Sequence, residues 1–276
     1  MLKQKIKQKR LDKELVNFPV SGFYRKQAAV FLYNLGLLVK ILKSTYYFIF
    51  QGKASHRIFI SQVFFTCAEA LRISFLLAFS TGFAIVILGT PFLTGFSQEM
   101  LIYPLLITIL VRELGPLLIA FIVIAHSAAA IATELAGNVI SRETEAYISI
   151  GLDPLEHLAA PRFLGVSFSV FLLNIYFSLF GFLGAFLCEQ LFYHGAAASY
   201  VYNFFQTLTV YDVLISIIKS ICFGMIISLI AIIQGFSVEY AYTEIPVAGL
   251  KAVASCFIWC IAVDIILSVF YYIWLL

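Results

Sequence analysis

Charge is what this chain has least of. Only 12% of its 276 residues are Asp, Glu, Lys or Arg, while 62% are apolar and the mean hydropathy is +0.98. A soluble domain carries about a quarter charged residues and about half apolar ones, so a soluble globular fold is excluded. The chain also lacks a Walker-type phosphate loop, paired carboxylates at hydrolytic spacing and a Cys/His cluster at ligand spacing. No catalytic residue, metal site or cofactor of its own is therefore expected, and any pump must draw its energy from elsewhere. The five cysteines, Cys67, Cys188, Cys222, Cys256 and Cys260, are odd in number and lie in or beside apolar runs. They read as packing residues, not a disulfide framework. The N-terminal bases are not closely followed by an apolar run with a small-residue cleavage site, so a cleaved signal peptide is not expected.

What is there is a set of long apolar runs. About 20 helical residues cross a hydrocarbon core of about 30 Å. Five such runs occur, at about 71–93, 101–131, 162–188, 212–236 and 251–275. The expected fold is an all-α polytopic membrane protein of five transmembrane helices. Thirteen of the eighteen Lys and Arg lie between Lys3 and Arg72, and the segments 94–100 and 189–212 contain none. The positive-inside rule then puts the N-terminus in the cytoplasm and the C-terminus outside.

Residues 1–66 read as a basic tail and interfacial helices, and 67–276 as a membrane domain that holds the five spans. Met1 to Lys13 is a flexible basic tail suited to anionic lipid headgroups, with no nucleic-acid partner expected. Tyr24 to Phe50 is apolar, but Lys40 and Lys43 leave an uncharged run of only thirteen residues, Gln27 to Val39. That is too short to span, so it reads as a helix lying in the interface. His56 to Arg72 reads as a second interfacial segment leading into the first span, which is expected to end at Gly89-Thr90-Pro91.

The stretch from Val111 to Phe163 carries the chemistry. Arg112 and Glu113 fall inside an apolar run, where an ionised group costs about 2.5 to 3.5 kcal/mol on insertion scales and usually faces a partner or a wet cavity. Gly115 and Pro116 follow at once and predict a kink beside them. Ala128, Ala129 and Ala132 belong to a small-residue surface that suits either packing within the chain or a contact with a second copy. His126, in the same run, has no second ligand at metal spacing. Ser141-Arg142-Glu143-Thr144-Glu145 leaves the hydrocarbon and predicts a short helix, followed by a turn at Gly151. Asp153 and Pro154 then match an N-cap with proline at the first helical position.

Two more charges lie in later runs. Lys219 and Asp264 either pair with each other across spans four and five or find separate partners. Gly181 and Gly184, one turn apart in the third run, suit close helix approach, and the aromatic segment 189–212 reads as an interfacial belt.

The residues RELGP (112–116), AHSAAAIATEL (125–135) and GLDPLEHLAAPRF (151–163), with Ile218-Lys219-Ser220, Gln234-Gly235-Phe236 and Asp264 downstream, closely resemble the signature of MlaE-type ABC permeases. The resemblance covers roughly residues 60 to 270. It implies a permease subunit that moves phospholipid between membranes, with two copies packed around a lipid cavity. Each copy would dock an ATPase subunit, which holds the ATP and Mg, through a cytoplasmic coupling helix, together with an Mce-domain lipid-binding partner. Arg112, Glu113, Gly115 and Pro116 would then line or gate the cavity. Ser141, Arg142, Glu143, Glu145, Gly151, Asp153 and Pro154 would couple to the ATPase. Where the family usually has Thr-Glu-Gln this chain has Ser141-Arg142-Glu143, so the acidic role passes to Glu143 or Glu145. The implied location is a bacterial inner membrane or a plastid inner envelope. Two other classes fit the charges: an ion-coupled secondary transporter using Arg112, Glu113, Lys219 and Asp264 as a relay, and a non-transporting scaffold assembled through the Ala-rich face.

Overall fold

A computed structural model describes residues 56–275 except 194–196 and 239–240, with Gly36 and Lys43 in addition. The basic tail and the interfacial helix read over 24–50 therefore lie, apart from those two residues, outside the described chain. Among the described residues all regular structure is helical. Helix α1 spans His56–Thr94 and α2 spans Ile102–Ile140. The short α3 is Glu143–Ser149, and α4 is Ala160–Cys188 with one π-helical turn on each side, Leu155–Ala159 and Glu189–Tyr193. Helix α5 covers Ala197–Thr207, α6 Val210–Phe236 and α7 Glu244–Leu275. Among the described residues, helices α1, α2, α4, α6 and α7 are the five long and apolar enough to cross a membrane.

Three helix boundaries differ from the sequence reading. Residues 56–72 are not a separate segment but the first part of a single 39-residue α1, because nothing between His56 and Thr81 breaks a helix. The helix also runs through Pro91 to Thr94. So close to the end, proline removes a single backbone hydrogen bond, and the Pro91 carbonyl accepts from the Thr94 hydroxyl at 2.9 Å and the Gly95 N–H at 3.3 Å. Likewise α2 does not stop near residue 131 but continues to Ile140, since Glu134 finds an ion-pair partner in Arg162.

Helices approach where side chains are absent. A Cβ on Gly82 of α1 would lie 1.9 Å from the Gly181 carbonyl oxygen of α4, and one on Gly184 would lie 2.3 Å from the Phe79 oxygen. Backbone therefore packs on backbone along this seam, and α4 is the most extensive neighbour of α1. Ala128 and Ala132 are fully buried within the chain, and Ala132 backbone lies against Gly235 of α6. Ala129 is half-buried and faces Gly249 of α7. Helix α5 packs against α2 and α4. Its Tyr200 and Phe204 are buried among Phe182 and Phe186 of α4, and burial pushes the Tyr200 phenol above its ordinary pKa.

Burial is uneven. In the most apolar stretch of each span, 56% of α2 is buried but only 11% of α7. Helix α2 is the core of the chain, and α7 is its open side.

Candidate functional site

A π-helical turn, Thr108–Glu113, lies one residue ahead of Gly115-Pro116, where the sequence predicts a kink. Pro116 has no N–H for the Arg112 carbonyl, and the wider turn accommodates that loss. A Cβ on Gly115 would stand 2.1 Å from the Leu110 carbonyl oxygen, so this turn admits glycine there. The turn presents two consecutive charged residues to the interior face shared with α6 and α7.

Arg112 takes one half of the resulting cluster. Its guanidinium lies 3.5 Å from Asp212 Oδ1 and hydrogen-bonds the Tyr272 hydroxyl, with the Tyr271 and Tyr272 rings 5.1 and 4.8 Å away. Asp212 is held in turn by a capping box at the start of α6. It accepts from the Thr209 hydroxyl at 2.6 Å and N–H at 3.2 Å, and from the Tyr271 hydroxyl at 3.1 Å.

Glu113 takes the other half. Lys219 Nζ, with no exposed surface, lies 2.6 Å from Glu113 Oε2, 2.9 Å from Asp264 Oδ1 and 2.7 Å from Ser268 Oγ. Ser268 donates to Glu113 Oε2 at 2.8 Å. Arg112 Nε and Glu113 Oε1, 3.5 Å apart, join the halves. Lys219 and Asp264 are thus paired, but Glu113 shares the lysine. Asp212, Tyr271, Tyr272 and Ser268 were not singled out in the sequence, although Thr209-Val-Tyr-Asp212 spells a capping box.

The side chains of Arg112, Glu113 and Asp264 remain 14%, 25% and 16% exposed. All three lie on membrane-spanning helices, so this opening falls where hydrocarbon would be a costly neighbour. His126 lies elsewhere on α2, 4.0 Å from Glu69.

The residues read as coupling positions gather in a separate hairpin at the far end of α2. Arg142 adopts a left-handed backbone, φ 61°, between α2 and α3, and Gly151 does the same at φ 80° between α3 and α4. Ser141 Oγ donates to the Asn138 carbonyl, and Asp153 Oδ1 accepts the Leu155 N–H at 3.0 Å, capping the turn that starts at Pro154. No residue of α3 is buried, Glu143 and Glu145 included, and Ile148, Ile150 and Leu152 are exposed beside them. At the hairpin's base Arg162, 7% exposed, donates to the Leu158 carbonyl at 2.6 Å and to Glu134 Oε1 at 2.7 Å.

Recesses adjoin the bundle at two places among the described residues. An apolar crevice of about 320 Å³ lies between α4, α5 and α6, where Asn174 Nδ2 donates to Ser216 Oγ at 2.8 Å. A polar recess of about 290 Å³ lies between the end of α6 and the start of α7, lined by Gln234, Glu244 and Lys251.

Comparison with known proteins adds the following. The family described as Permease MlaE matches residues 59–270. A probable ABC transporter permease protein of Rickettsia typhi is 30% identical over 162 residues, 58% of this chain and 62% of its own length. The match thus spans less than two thirds of that relative. The intermembrane phospholipid transport system permease protein MlaE of Haemophilus influenzae is 24% identical over 211 residues, 76% of this chain and 80% of its own. The chloroplastic protein TRIGALACTOSYLDIACYLGLYCEROL 1 of Arabidopsis thaliana is 24% identical over 224 residues, covering 81% of this chain and 64% of its own.

Proposed function

Since this chain belongs to the MlaE permease family, matching it over residues 59–270, we propose that it is the membrane subunit of an ABC transporter that moves phospholipid between membranes. It is a multi-pass membrane protein and a permease subunit. The ATPase that drives it, the phospholipid it moves and the second copy it pairs with belong to the proposal, as do an Mce-domain partner and a cytoplasmic N-terminus. A bacterial inner membrane is the setting, with the chloroplast relative pointing to a plastid envelope as the equivalent.

The observation that carries this reading is the ion cluster of Arg112, Glu113, Asp212, Lys219 and Asp264, built on three helices long and apolar enough to cross a membrane and partly open on a face of the single chain. Charges left facing hydrocarbon destabilise a membrane protein, and a second copy over the same face of α2 and α7 would turn the opening into a shared polar cavity. A phospholipid brings both halves that such a cavity suits, a charged headgroup for the cluster and acyl chains for the surrounding apolar walls. Helix α3, short, exposed and mixed in polarity, supports docking of a soluble subunit. Its motion would reach the cluster along α2, which carries both. The ion-coupled alternative uses the same charges but has no need of α3.

The test is reconstitution with the ATPase in vesicles, following a fluorescent phospholipid. Movement should require ATP and should fall at least roughly tenfold in Arg112→Ala or Glu113→Ala proteins that still assemble, as expected for groups acting in the transported state. Transport without an ATPase would transfer the charges to the ion-coupled reading, and unimpaired transport in both variants would remove them from the mechanism.

A further inference from the structure

We propose that Arg162 and Glu134 form a coupling strut that makes the α2 end, α3 and the α4 start move as one piece; this rests on the ATPase-driven reading above. Three observations carry it. Arg162 is a buried guanidinium in the first turn of α4, and its two terminal nitrogens are both used, one on the Leu158 carbonyl and one on Glu134 of α2. Glu134 is exposed, its side chain 55% so, yet its ion pair among the described residues reaches inward to Arg162. Four residues on, the Asn138 amide, in the orientation that satisfies both its ends, donates to the Glu134 carbonyl at 3.2 Å and to Glu143 Oε2 of α3 at 3.3 Å. The hydrogen-bonded path therefore runs from α4 to α2 to α3.

Stability alone is a poor reason to bury this arginine. An ion pair to an exposed carboxylate adds little stability, and well-packed apolar residues often replace a buried charge without loss, so the role assigned to the pair in this proposal is a fixed geometry. The geometry has an evident use. Both turns flanking α3 are left-handed, at Arg142 and Gly151, and between them α3 buries nothing. A push on α3 would swing it about those turns unless its base were tied. With the tie in place the push reaches α2 at Glu134, which stands 21 residues from Glu113 on the same helix, about 32 Å at about 1.5 Å per residue. That is about one hydrocarbon thickness. Arg162 and Glu134 act as positioning residues, touching neither lipid nor nucleotide.

The experiment compares wild type, Glu134→Ala, Glu134→Gln, Arg162→Met and the exchanged pair Glu134→Arg with Arg162→Glu, each reconstituted with the ATPase. Two quantities are read: ATP hydrolysis, and phospholipid moved per ATP. The single variants are expected to hydrolyse ATP within about twofold of wild type and to move at least roughly tenfold less lipid per ATP, and the exchanged pair to recover most of that loss, as for coupled neighbours. Hydrogen exchange across residues 141–152, measured on the isolated chain in detergent, should be faster in Glu134→Ala and Glu134→Gln and return towards wild type in the exchanged pair. An unchanged lipid-per-ATP ratio in Glu134→Ala and Glu134→Gln overturns the strut, as does an unchanged exchange rate. Equal losses of hydrolysis and transport that the exchanged pair does not restore reduce the pair to an ordinary structural contact. If Arg162→Met fails to assemble, the two Glu134 variants, at a half-exposed position, decide the matter alone. Failure of the wild-type complex to couple at all would count against the ATPase reading, while the exchange measurement would still judge the strut.

Discussion

Lys219 is fully enclosed between two carboxylates, and removing it leaves Glu113 and Asp264 facing each other without their shared cation. Lys219→Ala should lower stability in detergent by about 3 to 5 kcal/mol, the range for breaking a buried pair by one partner. Adding Asp264→Ala should cost less than its effect alone, and strictly additive losses would rule out the coupling. Gly115 makes a second prediction at this scale. Gly115→Ala pushes a methyl into the Leu110 carbonyl and should destabilise by about 1 to 3 kcal/mol, the range for overpacking. Gly137→Ala, in the same helix with open space around it, should be neutral or stabilising. Thermal midpoints of the purified variants check all four. The sequence made Arg112, Glu113, Lys219 and Asp264 conspicuous because charge is expensive in hydrocarbon. It did not reveal that Glu113 shares Lys219, because a π turn changes which way a residue faces and leaves only a Gly-Pro as its trace. Asp212 was hidden for the opposite reason, lying at the end of an apolar run where a charge needs no explanation.

Between helices, the seam of Gly82, Gly181 and Gly184 decides how closely α1 can lie on α4. Gly82→Val should force the two apart and lower the thermal midpoint more than any apolar exchange on the outward face of α1, such as Leu88→Ile. Arg142→Gly, by contrast, relieves a left-handed backbone and should leave the fold at least as stable, by up to about 1 kcal/mol. The glycine spacing in α4 was readable, yet its partner was not, since α1 and α4 are separated by two other helices. Helix ends were the least legible feature. An uncharged run marks the part that meets hydrocarbon, whereas α1 and α2 continue as 39-residue helices well past it. At about 1.5 Å per residue each is about 58 Å long, nearly twice a hydrocarbon core.

Taken whole, the bundle has one well-covered helix, α2, and one open one, α7. A second copy closing over α7 would bring matching residues together about a two-fold axis. Ile265→Cys, an outward position on α7, should then crosslink two copies under mild oxidation in native membranes, after Cys67 and Cys222 are replaced by Ser; monomer alone would place the open face against lipid or another protein. The five spans among the described residues and the site of the polar hairpin were legible because hydropathy and a cluster of charges are local signals. Which face of the bundle stays open is a property of packing between distant helices, and no local pattern records it.

The glycine seam also sets an order of events in synthesis. Helix α1 ends at Thr94 and its principal neighbour ends at Cys188, so roughly 94 further residues must be made, which takes about 5 to 20 s at about 5 to 20 residues per second. Throughout that interval the Gly82 face has no backbone to rest on and must be held by lipid or by the insertion machinery. Nascent chains cut short before α4 would keep that groove bare.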